Sequence, residues 1–228
     1  MPSTTELIAA TIKQDTQRVS DLLNQGANVN GDGEGTTTPL MMSAAEGYID
    51  IVNIFLEHNA DVNIRNESGY TALMYGVESK YVDIVNILLD NGAVIEGKND
   101  YGETVLMSAA RNGHLDLVNR LIAHGADISA TNNIGDTSLY LAVENGHTQV
   151  VQELIHRNAD VNTHNIGGWT PLMMASARGD IETMTILLEN NADFSPTHNW
   201  GGTALSEAKS SFNSTQAEEL LRRAGAQE

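Results

Sequence analysis

Thr38-Pro39-Leu40 returns as Thr71-Ala72-Leu73, Thr104-Val105-Leu106, Thr137-Ser138-Leu139, Thr170-Pro171-Leu172 and Thr203-Ala204-Leu205, each thirty-three residues after the last. One step upstream the same period lands on Thr5-Glu6-Leu7. A fixed period of this length marks a stack of small supersecondary units, each too small to bury its own apolar face and therefore packed on its neighbours. Seven units tile the chain from near residue 3 to near residue 226. Six keep one register, and the seventh slips by one residue around Ala224.

Every unit has the same internal grammar. The Thr hydroxyl is suited to cap a helix N-terminus, and Pro39 and Pro171 follow at the first helical position, where no N–H is needed. A short segment of small and apolar residues comes next, as in Leu40-Met41-Met42-Ser43-Ala44-Ala45. Gly47, Gly113, Gly146 and Gly179 then end that helix. A second helix carries apolar pairs four apart: Ile51, Val52 with Phe55, Leu56; Ile84, Val85 with Leu88, Leu89; Leu117, Val118 with Leu121, Ile122; Val150, Val151 with Leu154, Ile155. That spacing is one face of a 3.6-residue period. The position closing the second helix reads Gly26, Asn59, Gly92, Gly125, Asn158 and Asn191. Only the two residues that best tolerate a left-handed backbone occur there, which predicts a left-handed helix terminus in each unit. Turn-forming loops such as Asn66-Glu67-Ser68-Gly69 and Asn132-Asn133-Ile134-Gly135 lead to the next Thr.

This grammar resembles the ankyrin repeat. The closing motif appears as Gly26-Ala27-Asn28-Val29-Asn30, Asn59-Ala60-Asp61-Val62-Asn63, Gly125-Ala126-Asp127-Ile128 and Asn158-Ala159-Asp160-Val161-Asn162, and the middle motif as Gly113-His114 and Gly146-His147. The resemblance covers nearly the whole chain. It implies an all-α solenoid of helix-turn-helix units with projecting β-turn loops, forming one domain over 1–228 with an N-terminal capping unit at 3–34, internal units over 35–199 and a C-terminal capping unit at 200–228. Polar residues Lys13, Gln14 and Arg18, and Glu207, Lys209, Ser210 and Ser211, fit solvent-facing caps. Two departures stand out inside the stack. Met41, Met74, Met107, Tyr140, Met173 and Ser206 replace the histidine of the family's opening motif, so packing between repeats is expected to be more apolar. Lys80 stands where Gly usually ends the first helix, and a distorted turn is expected there.

Composition limits the function classes. Of 228 residues 41% are hydrophobic and 18% charged, with twelve Lys and Arg against thirty Asp and Glu, a net charge of −18. Nucleic-acid binding needs clustered cations, and anionic membranes repel such a chain, so neither is an expected partner. A basic protein partner suits the charge. The absence of cysteine removes disulfides, thiolate catalysis and thiolate-bound metals. No apolar stretch approaches the length of a membrane span, and the first basic residue, Lys13, follows the short apolar run Leu7–Ala10 instead of preceding it, unlike a secretory signal. The expected location is the cytoplasm and the expected state a monomer.

Chemistry has little room in this chain. The tiling leaves no residues for a catalytic domain, so the expectation is a protein that is not an enzyme and holds no cofactor or metal. His114 and His147 sit at a turn position of the repeat. His58, His124 and His156 lie near second-helix C-termini, where a cation suits the helix dipole. His164 and His198 fall in loops and read as solvated. No His-x-x-x-His pair shares a helix. Asp32-Gly33-Glu34-Gly35 lacks the ligand alternation of a calcium loop, and Gly167-Gly168 and Gly201-Gly202 lack the Lys-Ser/Thr of a phosphate cradle.

The resemblance implies a concave face lined by loops and first helices. On that face the residue identities vary while the framework repeats. Tyr70, Tyr101, Ile134, Ile166, Trp169 and Trp200 form an apolar and aromatic row on loop positions, with Arg111 and Arg178 available as rim contacts. Glu34, Glu46, Glu67 and Glu78 are acidic positions toward the N-terminus, where no Lys or Arg occurs between Arg18 and Arg65. Trp and Tyr are frequent binding hot spots. The expected function is protein–protein interaction through this groove, as scaffold, adaptor or inhibitor, with the aromatic row as anchor and the acidic part steering a basic partner. The alternative is an enzyme or small-ligand protein with a site improvised in the groove, which calls for a deep polar pocket and a perturbed carboxylate or histidine.

Overall fold

The computed structural model describes residues 2–32 and 35–227, which form fourteen α-helices. Among the described residues there is no strand, only isolated bridges pairing Gly35 with Asn66 and Thr131 with Thr137. The chain divides into two compact units, Met1–Val105 and Leu106–Glu228. In the first unit, α1 (Thr4–Ile12) pairs with α2 (Thr16–Asn24), α3 (Pro39–Glu46) with α4 (Ile49–Glu57) and α5 (Ala72–Glu78) with α6 (Val82–Asp90). In the second, α7 (Val105–Arg111), all but its first residue within this unit, precedes α8 (Leu115–Ala123). There α9 (Ser138–Glu144) pairs with α10 (Thr148–His156), α11 (Pro171–Arg178) with α12 (Ile181–Glu189) and α13 (Ala204–Lys209) with α14 (Ser214–Ala224).

Threonine capping sets the helix starts. The hydroxyls of Thr38, Thr71, Thr137, Thr170 and Thr203 accept the backbone N–H three residues on, at 3.2–3.4 Å. In the first repeat the period designates Thr5, but Ser3 does the capping. Its hydroxyl accepts from Glu6 N–H at 3.3 Å while the Glu6 carboxylate accepts from Ser3 N–H at 3.0 Å. This reciprocal pair starts α1 at Thr4, ahead of the register position. At the other end α14 runs for eleven residues before Gly225, which accommodates the one-residue slip.

The two helical layers bury what the periodicity designates. Within each unit first helices pack on first helices, as α3 does on α5 and α11 on α9 and α13, and second helices on second helices, as α4 does on α2 and α6 and α12 on α10 and α14. Ile51, Val52 and Phe55, Ile84, Val85 and Leu88, Leu117, Val118 and Leu121, and Val150, Val151 and Leu154 are fully buried, and Leu56, Leu89, Ile122 and Ile155 close the same face half-buried. Burial of each such side chain favours the stack by about 1.5–3 kcal/mol over exposure. Met41, Met74, Met107 and Met173 are buried among the first helices, as the apolar replacement implies.

The repeats are also tied by polar contacts. Ser79 Oγ donates to the Ala45 carbonyl at 2.8 Å, His147 Nε2 to Arg111 at 2.8 Å, Arg178 to Glu144 at 2.7 Å and Asn213 to Gly179 at 2.8 Å. In each case a side chain of one repeat satisfies a carbonyl at the C-terminal end of the preceding first helix, one of the groups an α-helix leaves without partners.

The left-handed termini occur where expected. Gly26, Asn59, Gly92, Gly125, Asn158 and Asn191 have φ between 60° and 89°. Lys80 differs from expectation, because its turn is not distorted. Its φ is 62°, and Tyr81 N–H still reaches the Gly76 carbonyl at 2.9 Å, the length of the matching Tyr48–Ser43 bond in the preceding repeat. The lysine adopts the glycine conformation, and the cost appears as backbone strain instead of lost hydrogen bonds. Gln14 does the same with φ 55°. Gly47 could not be replaced so simply, because a Cβ there would lie 2.6 Å from the Tyr81 ring.

Candidate interaction surface

Four of the loops are built around one asparagine that the period also places. Asn66, Asn99, Asn132 and Asn165 lie five residues before the capping Thr. Asn66 Oδ1 accepts the N–H groups of Ser68 and Tyr70, and Asn99 Oδ1 those of Tyr101 and Glu103, all at 2.9–3.0 Å. Asn132 does so for Ile134 and Asp136, and Asn165 for Gly167 and Trp169, at 2.9–3.1 Å. The backbone of each loop is thereby pinned, and the intervening residues project. Sequence reading passed over these asparagines, although their 33-residue spacing was the available signal.

In the last loop His198 takes this place. Its Nδ1 accepts from Trp200 N–H at 3.1 Å, so the ring proton sits on Nε2, which donates to Glu207 Oε1 at 3.1 Å. His198 is only 7% exposed, not the solvated loop histidine expected. The Trp169 ring stacks on it at 4.7 Å and 6°, and the Trp200 ring meets it edge-on at 5.5 Å and 61°. The aromatic neighbours dehydrate the imidazole, and both of its nitrogens are satisfied within the protein.

The candidate residues separate into held and projecting groups. In the first unit Tyr70 is half-buried: its ring lies 5.4 Å from Tyr75, and its hydroxyl donates to Glu78 Oε1 at 3.0 Å. Burial first, then the Glu78 charge, pushes the Tyr70 hydroxyl up to about 12. Tyr101 is 67% exposed, and Glu46, Glu67 and Glu78 are exposed. Glu34 lies outside the described residues. In the second unit Ile134, Ile166 and Trp200 are 51%, 71% and 76% exposed. Ile166 N–H donates to the Ile134 carbonyl at 3.0 Å, and Asn199 N–H to Gly167 at 2.9 Å, so successive tips are joined through backbone. Trp169 is half-buried against His198, whose other aromatic contact is the edge of Trp200.

A polar column runs beneath the tips of the second unit. Asp136 is buried and accepts from Asn165 Nδ2 at 2.9 Å. Burial, then Asp136 and Glu144, push the Tyr140 hydroxyl above the usual phenol range. Glu144 is also raised, by burial first and by Asp136 second, against the opposing charges of Arg111 and Arg178. Arg111 is half-buried, while Arg178 is exposed and lies over Gly146. Glu144 is the perturbed carboxylate that an improvised site would use. However, a cavity of about 300 Å³ in this unit is lined by residues such as Ser129, Thr137 and Asp160 and contains none of the column. Among the described residues no group of three or more His, Asp or Glu side chains could hold a metal ion. No described helix is long and apolar enough to cross a membrane.

The family model for ankyrin repeats, in three copies, matches residues 7–99, 95–165 and 139–227. The chain therefore belongs to the ankyrin repeat family, whose repeats are in general protein–protein interaction modules. The crystal structure of the human ASB11 ankyrin repeat domain superposes with a TM-score of 0.84 at 24% identity, covering 97% of this chain and 99% of that one. That likeness is one of fold. No curated protein matches the chain.

Proposed function

We propose that this protein binds a protein partner through the loop tips of its second unit, serving as a scaffold, adaptor or inhibitor and not as an enzyme. The observation that carries this reading is the exposure of Ile134, Ile166 and Trp200 on tips whose backbones are pinned by Asn132, Asn165 and His198. Large apolar side chains on a pinned backbone bind without the cost of ordering a loop, which suits hot spots. Arg178 offers a rim contact. The first unit contains five Lys and Arg against sixteen Asp and Glu, a net charge of −11. Its field favours encounter with a basic partner.

Affinity purification with the full chain, followed by titration of the recovered partner against wild type and Ile166→Ser/Trp200→Ala, tests this reading. The expected result is a partner that the folded double variant binds at least about thirtyfold more weakly. A folded variant with unchanged affinity places the interface elsewhere.

A further inference from the structure

Four residues beyond each left-handed terminus of the second helices, the repeat places Asn30, Asn63, Glu96, Ser129, Asn162 and Ser195. The asparagines bridge to the next repeat. Asn63 Oδ1 accepts Val94 N–H at 2.8 Å while its Nδ2 donates to the Gly92 carbonyl at 3.1 Å. Asn162 repeats this with Asp193 N–H at 2.7 Å and the Asn191 carbonyl at 3.2 Å. Asn30 accepts Asp61 N–H at 2.9 Å. Ser129 is too short to reach, its single hydroxyl oxygen cannot present a donor and an acceptor side by side, and it donates back to Asp127 Oδ1 at 2.6 Å.

The pair that a bridge from position 129 would engage is Asp160 N–H and the Asn158 carbonyl. Neither has a protein partner among the described residues, and both residues line the cavity of about 300 Å³ with Ser129, Ile128, Thr137 and Leu139. The register counterpart Ser195 borders a second cavity, of about 410 Å³, with Thr203, Leu205 and Gly225. A cavity thus occurs at both positions where serine replaces asparagine.

We propose that the Ser129 notch is a binding site for a primary carboxamide, the side chain of an Asn or Gln on a protein partner. The molecule itself supplies the precedent, since the corresponding backbone donor and acceptor of other repeats are engaged by the carboxamides of Asn63 and Asn162. A carboxamide carries a donor and an acceptor side by side in one plane. A carboxylate lacks the donor and would meet Asp127 and Asp160 at the cavity wall, and an ammonium or guanidinium lacks the acceptor. Ile128 and Leu139 provide apolar contact for the aliphatic stem. The site is distinct from the loop tips and stands independently of the reading given for them.

The probe is N-acetyl-glutamine N-methylamide, titrated into the full isotope-labelled chain and followed through amide resonances, with the glutamate analogue as control. With two hydrogen bonds and a short stem, affinity is expected no tighter than about 1 mM. Asp160 N–H should shift downfield saturably with the glutamine probe and stay unmoved with the glutamate analogue. Val94 and Asp193 N–H, already bonded to Asn63 and Asn162, should not move. Ser129→Asn should abolish the Asp160 shift by supplying the carboxamide from within. An unmoved Asp160, an equal response to the glutamate analogue, or an undiminished shift in folded Ser129→Asn overturns the proposal. Should that variant not fold, the contrast of Asp160 with Val94 and Asp193 in wild type decides by itself.

Discussion

The loop at residues 66–70 in the first unit and the loop at 165–169 in the second are the same device with different attachments. In both, an asparagine Oδ1 accepts the N–H groups two and four residues on. They part at Nδ2. Asn66 donates to Tyr75 Oη at 2.9 Å, on the helix its own loop leads into, whereas Asn165 donates to Asp136, a buried carboxylate of the preceding loop. The projecting residues differ as well: Tyr70 is secured to Glu78, while Ile166 stands in solvent. The backbone frame is fixed by a single side-chain type at a fixed position, and this frees the intervening residues to vary. Backbone bonds join successive loops in both units, Asp100 N–H to Ser68 as well as Ile166 N–H to Ile134, and the second unit adds the asparagine-to-carboxylate bond.

The sharpest way to break this comparison is to remove the hubs. Asn165→Ala leaves two loop N–H groups without their acceptor and a buried carboxylate without its closest donor. It should cost about 3 kcal/mol by chemical denaturation. Asn66→Ala loses the same two backbone contacts, but strands no buried charge, and should cost about half as much. Equal losses would mean that the bond to Asp136 adds nothing to the joining of successive loops.

Exposed cargo should behave in the opposite way to the hubs. Trp200→Ala should change folding stability by no more than about 0.5 kcal/mol, since the ring is largely in solvent. In partner binding it should cost about 2 kcal/mol. Melts and titration of the same sample separate the two effects. A large stability loss with intact binding would make Trp200 a packing residue, the role its neighbour Trp169 fills against His198.

A third contrast concerns the ends of the first helices. The first unit places Gln14, Gly47 and Lys80 there in left-handed backbone, whereas the second uses Gly113, Gly146 and Gly179. Lys80→Gly should stabilise by about 1 kcal/mol by removing the Cβ conflict. The reverse exchange, Gly113→Lys, should destabilise by more than that, because a Cβ would lie 2.5 Å from the His147 ring. Thermal melts of both variants test the asymmetry. Their agreement in magnitude would show that backbone strain alone governs these turns.

Much of the architecture was legible because a repeat states each rule several times. The capping Thr, the Gly/Asn terminus and the buried pairs of the second helices recur often enough to be read as requirements. What escaped reading was chemistry that changes residue type while keeping its role. His198 accepts with Nδ1 the N–H two residues on, one of the two that Asn66, Asn99, Asn132 and Asn165 accept with Oδ1, and histidines considered apart from that register read as solvated. Ser3 displaced Thr5 because reciprocal bonding with Glu6 outweighs register. Of the aromatic row, position identified which side chains lie on loops. It did not distinguish Tyr70, bonded to Glu78, and Trp169, stacked face to face on His198, from Ile166, which stands in solvent, and Trp200, which meets His198 only by an edge and stays largely exposed. At Lys80 the residue type signals a departure but not its outcome, since one left-handed lysine costs less than losing the turn's hydrogen bonds, and the turn keeps its shape.

The smallest expected effect tests the polar column beneath the tips. Glu144 is raised above the ordinary carboxylate range by burial and by Asp136, while Arg111 and Arg178 pull the other way. The folded state therefore holds the Glu144 proton more tightly than the unfolded chain does. In the window between the ordinary glutamate value and the raised one, the folded state binds more protons, so this group's contribution to stability falls as pH rises. Above that window the carboxylate remains charged at a net disadvantage, and below it the disadvantage is gone. Glu144→Gln should thus be slightly stabilising near neutral pH, with the difference from wild type shrinking as pH falls through the window. The first unit offers the control, because Glu78 is exposed and accepts its bond from Tyr70 without such burial, and Glu78→Gln should bring no such gain. Denaturation midpoints of both variants across mildly acidic to neutral pH check the sign. If Glu144→Gln destabilises at neutral pH, the attraction of the two arginines outweighs burial, and the column is held together by charge instead of tolerating it.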